Sequence, residues 1–169
     1  MKRIALSIVF CLLFASAAFA QTKSPVEGVW KIAEVVVPAT APDAKGTAMT
    51  VSNPQPGLII FTKGYYSGVA VTGPQERAAV APPKDPQNMT DAEKIARYEQ
   101  WRYFVASSGP YEIKGSTLTM RPIVAKEVAG MTTGSQLTWE FKLEDAKTLR
   151  LTPTDQSATV PKIKLTRLE

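Results

Sequence analysis

The sequence predicts an all-β domain, an eight-stranded antiparallel up-and-down β-barrel with one α-helix between the third and fourth strands. Three observations carry this. Eight short segments alternate apolar and polar residues with a period of two. One segment alone switches to helical spacing behind a capping box. Eight successive half-apolar strands joined by short turns must also hide their edges, and closure into a barrel does so. Two sheets packed as a sandwich share this periodicity and stay open as the alternative.

The first strand is Gly28 to Val37, GVWKIAEVVV, rich in β-branched residues and stopped by Pro38. A polar, proline-bearing loop then leads to a hairpin: Gly57–Thr62, a Lys63-Gly64 turn, and Tyr65–Thr72. The stretch from about 73 to 89 is proline-rich and reads as a mobile insertion. Behind it, Thr90-Asp91-Ala92-Glu93 has the capping-box form, with Ile95, Tyr98, Trp101 and Val105 at helical spacing and Glu93 to Arg97 as an i,i+4 pair. The helix is expected over about 91–106, stopped by Ser107-Ser108-Gly109-Pro110. A second hairpin follows, Tyr111–Lys114 and Thr117–Arg121 across Gly115-Ser116. Leu137–Leu143 alternates most clearly, with Leu137, Trp139, Phe141 and Leu143 on one face. Thr148–Thr152 and Lys162–Leu168 complete the eight.

Ahead of the strands, residues 1–20 read as an export signal. Met1-Lys2-Arg3 is a short basic start, Ile4–Phe14 is an apolar run short for a bilayer crossing, and Ala18-Phe19-Ala20 is a small-x-small cleavage pattern. Cleavage after Ala20 leaves one domain, 21–169, with no integral membrane span, in the periplasm or the medium of a bacterium. Lys2 and Arg3 leave with the signal, so the 20 basic residues fall to 18 against 15 acidic ones, a net charge of +3. Cys11, the one cysteine, leaves too. The expected mature domain enters a compartment where disulfides form and is held by its core alone.

Composition also narrows the chemistry. The chain has no histidine, which excludes Ser-His-Asp and Cys-His nucleophile systems and histidine metal sites. Phosphate-binding glycine loops, dinucleotide fingerprints, EF-hand loops and Gly-x-Ser-x-Gly elbows are missing, so no cofactor and no metal are expected. A small net charge with no basic stripe gives no sign of nucleic-acid binding.

Gly28-Val29-Trp30 resembles the Gly-x-Trp signature of lipocalins, and Arg167, in the last strand, matches the basic residue that covers that tryptophan. Val26–Trp30, Gly57–Ser67, Ser107–Gly115 and Thr117–Thr119 resemble segments of a bacterial lipocalin-like domain family, whose members carry a helix between strands three and four. The resemblance implies the barrel, and Gly28, Trp30 and Arg167 as a structural signature. Arg167 shares parity with Ile163 and Leu165 and is expected to lie over the Trp30 ring.

The expected function is to bind a small, mostly hydrophobic or amphipathic molecule in the barrel, as a carrier or scavenger. Ligand-lining candidates are Tyr65, Tyr66, Tyr103, Tyr111, Trp139 and Phe141, each weighed against an ordinary core role. Glu34 shares parity with Trp30, Ile32 and Val36, which points it inward as a ligand contact or proton acceptor, unless it pairs with a cation such as Arg121 or a bulge turns it out. Arg121 either joins a hydrogen-bond network or meets a ligand anion. Two alternatives stand beside the carrier: an isomerase- or cyclase-type barrel enzyme using Glu34 or a tyrosine, and a filled barrel serving as an interaction module.

Overall fold

Each apolar alternation becomes a strand, and pairing sets where the strand begins and ends. The computed structural model describes residues 24–39, 47–73, 76–154 and 160–169. The expected export signal lies outside them. In chain order the elements are β1 (Gly28–Val37), β2 (Met49–Val51), β3 (Gly57–Phe61), β4 (Tyr65–Val71), α1 (Asp91–Arg102), β5 (Phe104–Lys114), β6 (Thr117–Met120), β7 (Val124–Ala125), a 3-10 turn (Val128–Met131), β8 (Leu137–Asp145), β9 (Thr148–Pro153) and β10 (Lys162–Arg167).

Eight strands pair antiparallel in the order β1, β3, β4, β5, β6, β8, β9, β10, and β10 returns to β1 with Trp30 opposite Arg167. The sheet is therefore a closed up-and-down barrel, as expected. β2 and β7 are short additions that pair with β1 and β5. Counted with β2, the helix follows the fourth strand; among the eight that close the barrel it follows the third.

Up-and-down order gives the barrel two unlike ends. The turns at 62–64, 115–116 and 146–147 are tight and share one end, with Gly115 at φ +60°, a conformation that suits glycine. The longer connections leave from the other end. At the tight end Val26, Trp30, Phe61, Leu118, Leu149, Leu151 and Leu165 are fully buried, each worth about 1.5–3 kcal/mol of apolar burial. Trp30 Nε1 donates to the Val26 carbonyl at 2.7 Å. The Arg167 guanidinium stacks on the Trp30 ring and donates to the carbonyls of Pro25, Glu27 and Ala146. Gly28 sits at φ +140°, and a Cβ there would lie 2.3 Å from the Glu169 carbonyl oxygen.

The helix is shorter than its spacing predicts. Thr90 and Glu93 form the reciprocal cap, with Glu93 N–H donating to Thr90 Oγ1 at 3.3 Å and Thr90 N–H donating to Glu93 Oε2 at 2.8 Å. Glu93 is thereby engaged, and the helix ion pairs are Asp91–Lys94 and Glu99–Arg102 rather than Glu93–Arg97. The helix ends at Arg102 instead of Ala106, because Phe104–Pro110 pairs residue by residue with Val71–Tyr65 of β4. Ser107-Ser108-Gly109-Pro110 is thus strand, not a helix stop. The ladder outweighs local turn chemistry.

The expected apolar stripe of the helix also fails to enter a core. Ile95, Tyr98 and Trp101 are 62, 65 and 50% exposed, while Glu93, Ala96, Arg97 and Gln100 form the more covered side. In the 73–89 insertion, residues 76–89 form no helix or strand; Asp85 accepts from Gln87 N–H and Asn88 Nδ2, and Lys84 N–H reaches Glu93.

Candidate functional site

Alternation along β4, β5, β8 and β9 sends Tyr66, Ser107, Tyr111, Trp139, Phe141, Leu149 and Leu151 inward. They do not share one task. Tyr111 belongs to the tight end, where its hydroxyl donates to the Thr62 carbonyl at 2.9 Å and its ring meets Phe61 edge-on, centroids 5.3 Å apart. Phe141 packs against the core. Trp139 is buried with Nε1 lacking a hydrogen-bond partner. Tyr66 is buried higher in the barrel and donates from its hydroxyl to Ser107 Oγ at 3.2 Å. Burial pushes the Tyr66 phenol above its ordinary range.

Two candidate tyrosines leave the interior. Tyr65 alternates with Tyr66, faces outward at the tight end and is 58% exposed. Tyr103 caps the helix, where Arg102 lies over its ring and donates to its hydroxyl. Its ring lies against Gly73, where a Cβ would come within 2.7 Å of it. Neither lines either of the two hollows described below.

Glu34 is turned out by a bulge. The β1–β10 register runs Trp30↔Arg167, Lys31↔Thr166, Ile32↔Leu165 and then Glu34↔Lys164, so Ala33 is an extra residue and parity inverts. Glu34 then shares the outer row of Lys164 and Arg150, with Arg150 Nη1 3.9 Å from its Oε1. Val35 takes the place on the core side. No polar or charged residue is fully buried among the described residues, and Glu34 is not positioned to transfer a proton inside the barrel. Arg121 also faces out, 3.4 Å from Glu112 Oε2, which joins it to a surface pair.

The hollow lies where strand gives way to loop. β6 ends at Met120, so the wall between the upper half of β5 and the start of β8 is completed by residues 121–136. A half-open cavity of about 530 Å³ sits there, lined by Val105 and Ser107 from β5, Pro122, Ala125 and Lys126 from the connection, and Leu137 from β8. Its size is that of a small-molecule pocket, and its walls are mostly apolar. An adjoining hollow of about 410 Å³ shares Pro122 and Gln136 and includes Arg121. Of the candidate residues, Tyr66 reaches the main cavity through Ser107, and Arg121 borders the second hollow.

Sequence reasoning missed Ser107, Lys126 and Leu137 as a group. Reading Ser107-Gly109 as a helix stop hid the alternation that turns Ser107 inward. Ala125 pairs with Ser107 across a two-residue strand, too short to leave a periodic signal. Among the described residues no three His, Cys, Asp or Glu side chains cluster as metal ligands, and no helix is long and apolar enough to cross a membrane.

Among solved structures, the chain is similar to a lipocalin-like protein from Bacteroides uniformis ATCC 8492, at 13% identity and a TM-score of 0.46, covering 86% of this chain and 100% of that one. An uncharacterized protein from Bacteroides eggerthii DSM 20697 is similar at 12% identity and 0.41, covering 83% and 98%. A redesigned β-barrel follows at 11% and 0.41, covering 86% and 93%. No curated protein matches the sequence. The family model described as a lipocalin-like domain matches residues 27–165, most of the chain, and by that match the protein belongs to the lipocalin-like domain family.

Proposed function

We propose that this protein is an exported carrier or scavenger that holds a small, mostly apolar molecule at the open end of its barrel. One observation carries the reading: a cavity of about 530 Å³ with mostly apolar walls opens where β6 stops, while the opposite end is filled and sealed by Trp30 and Arg167. A site closed below and open above admits a ligand without unfolding the sheet. Family membership supports a ligand-binding barrel. The basic start, apolar run and Ala18-Phe19-Ala20 pattern support export to the periplasm or medium.

Native mass spectrometry of protein isolated from its own cell compartment tests this. The expected result is a co-purifying small molecule released on denaturation, with an N-terminus at Gln21. If no mass co-purifies and tryptophan fluorescence ignores fatty acids, quinones and flavonoid-like compounds, the carrier reading fails.

A further inference from the structure

We infer that the uncovered face of α1 is a dimer contact, through which two copies of this chain pair helix to helix, antiparallel about a two-fold axis.

The helix α1 is short of apolar cover. It has twelve residues, none of them buried, a length at which a helix is marginal in water on its own hydrogen bonds. Lys84 N–H at Glu93, the Lys126 ammonium at the Arg102 carbonyl and Arg77 over the Trp101 ring tie it to the rest of the molecule. None of these ties covers Ile95 or Tyr98, which remain mostly in water.

The uncovered face has an order. Asp91, Ile95, Tyr98 and Arg102 follow at steps of four, three and four, which sets them within about 60° of one another as one seam along the helix. From the N-terminus the seam is acidic, apolar, apolar, basic. Turned end for end against a second copy it complements itself: Asp91 meets Arg102 and Ile95 meets Tyr98, each contact made twice. A parallel pair would set Asp91 against Asp91 and Arg102 against Arg102, so the charges choose the antiparallel arrangement. Lys94 and Trp101 lie seven residues apart on one flank of the seam, and the same reversal brings each beside the other in the second copy, which suits a cation–π contact.

Both end charges have capacity to spare. Asp91 is engaged by Lys94 through Oδ1, at 3.1 Å, and its side chain is 91% exposed. Arg102 donates to both Glu99 carboxylate oxygens and to the Tyr103 hydroxyl, which leaves two of its five N–H groups for a partner. Glu93, Ala96, Arg97 and Gln100 form the side turned toward the molecule, so the two barrels lie outside the helix pair and do not obstruct it. Two helices of this length bury less than the roughly 1,200 Å² of a standard interface, which makes the dimer a weak one, with Kd of about 10–100 µM.

Sedimentation equilibrium of the mature protein between about 5 and about 500 µM tests this, with a monomer–dimer equilibrium in that range as the expected result. Ile95→Glu should weaken association by at least about 10-fold while leaving the melting temperature of the dilute monomer unchanged. Asp91→Arg and Arg102→Asp each set like charges together in their own dimer and should each weaken it by at least about 5-fold. Mixed in equal amounts, the two variants form a heterodimer whose ends match, and association should return to within about 3-fold of wild type. A loss of helix in either variant would not be repaired by mixing. A monomer at the highest concentration overturns the inference, as does a dimer indifferent to Ile95→Glu or a mixture that recovers nothing. Binding of the monomer to phospholipid vesicles, abolished by Ile95→Glu, in place of self-association assigns the face to a lipid surface and overturns it too.

Discussion

The Arg167 guanidinium lies 4.0 Å from the centroid of the Trp30 ring, and one strand pair holds both residues, since they are Cα partners across the seam that closes the barrel. Trp30 is fully buried, and the guanidinium spends its donors on carbonyls of the chain entry at Pro25 and Glu27 and of the β8–β9 turn at Ala146. One side chain thus covers the core, fixes the entering segment and ties down a turn. The closed end of the barrel rests on this plug.

Replacing Arg167 by Met keeps much of the apolar stem and removes both the cation–π contact and the donors. The expected loss is about 2–5 kcal/mol, from charge-assisted hydrogen bonds worth about 1.5–3 and a cation–π term of about 0.5–2. Urea unfolding followed by tryptophan fluorescence measures it. A loss below about 0.5 kcal/mol would show that the plug is ornamental.

Glu34→Gln is expected to change stability by no more than about 0.5 kcal/mol and to leave ligand affinity unaltered, because the carboxylate meets Arg150 only at 3.9 Å on the outer wall. Parallel urea curves and dye titrations check both. A large change in binding would place Glu34 in the interior after all.

Tyr66→Phe changes how stability depends on pH. The phenol is raised above its usual value of 10.0 by burial, so between that value and its folded value the native state holds the proton while the unfolded chain has lost it. Stability is therefore complete below about pH 10 and declines as pH rises through the folded value. The wild type should lose more than Tyr66→Phe over this alkaline window, read as melting temperature from pH 9 to 11. Equal slopes would contradict the burial argument.

Trp101→Ala should cost no more than about 1 kcal/mol, although it deletes the largest side chain of the helix, because half of that side chain is already in water. Leu149→Ala, fully buried, should cost about 2–5 kcal/mol in the same urea assay. Comparable losses would mean that the helix packs into a core.

Strand existence was legible because alternation is a local property: Trp139, Phe141 and Leu143 share a face wherever Leu137–Asp145 pairs. The plug was legible too, through the resemblance of Gly28-Val29-Trp30 and Arg167 to the lipocalin signature, with which the parity of Arg167 and Leu165 agrees. Strand length was less so. Phe104–Pro110 carries serine, glycine and proline that favour a turn, and pairing with β4 along its length and with β7 at Ser107 and Ser108 holds it extended. The face of Glu34 was illegible because one extra residue inverts parity, and Ala33 looks like any other strand residue.

The sequence by itself determined the all-β class, the eight barrel strands, the capped start of the helix and the Trp30–Arg167 seal. The first three depend on spacing within a few residues; the seal was expected from the resemblance to the lipocalin signature, with parity within the last strand agreeing. The tertiary structure alone decided that Glu34 faces out, that Ile95, Tyr98 and Trp101 stay exposed, and that Ser107, Lys126 and Leu137 meet around a cavity. Those three residues come from segments up to 30 positions apart, brought together because β6 is too short to fill the wall between β5 and β8. A gap of that kind belongs to the pairing of strands and has no period that a chain can display.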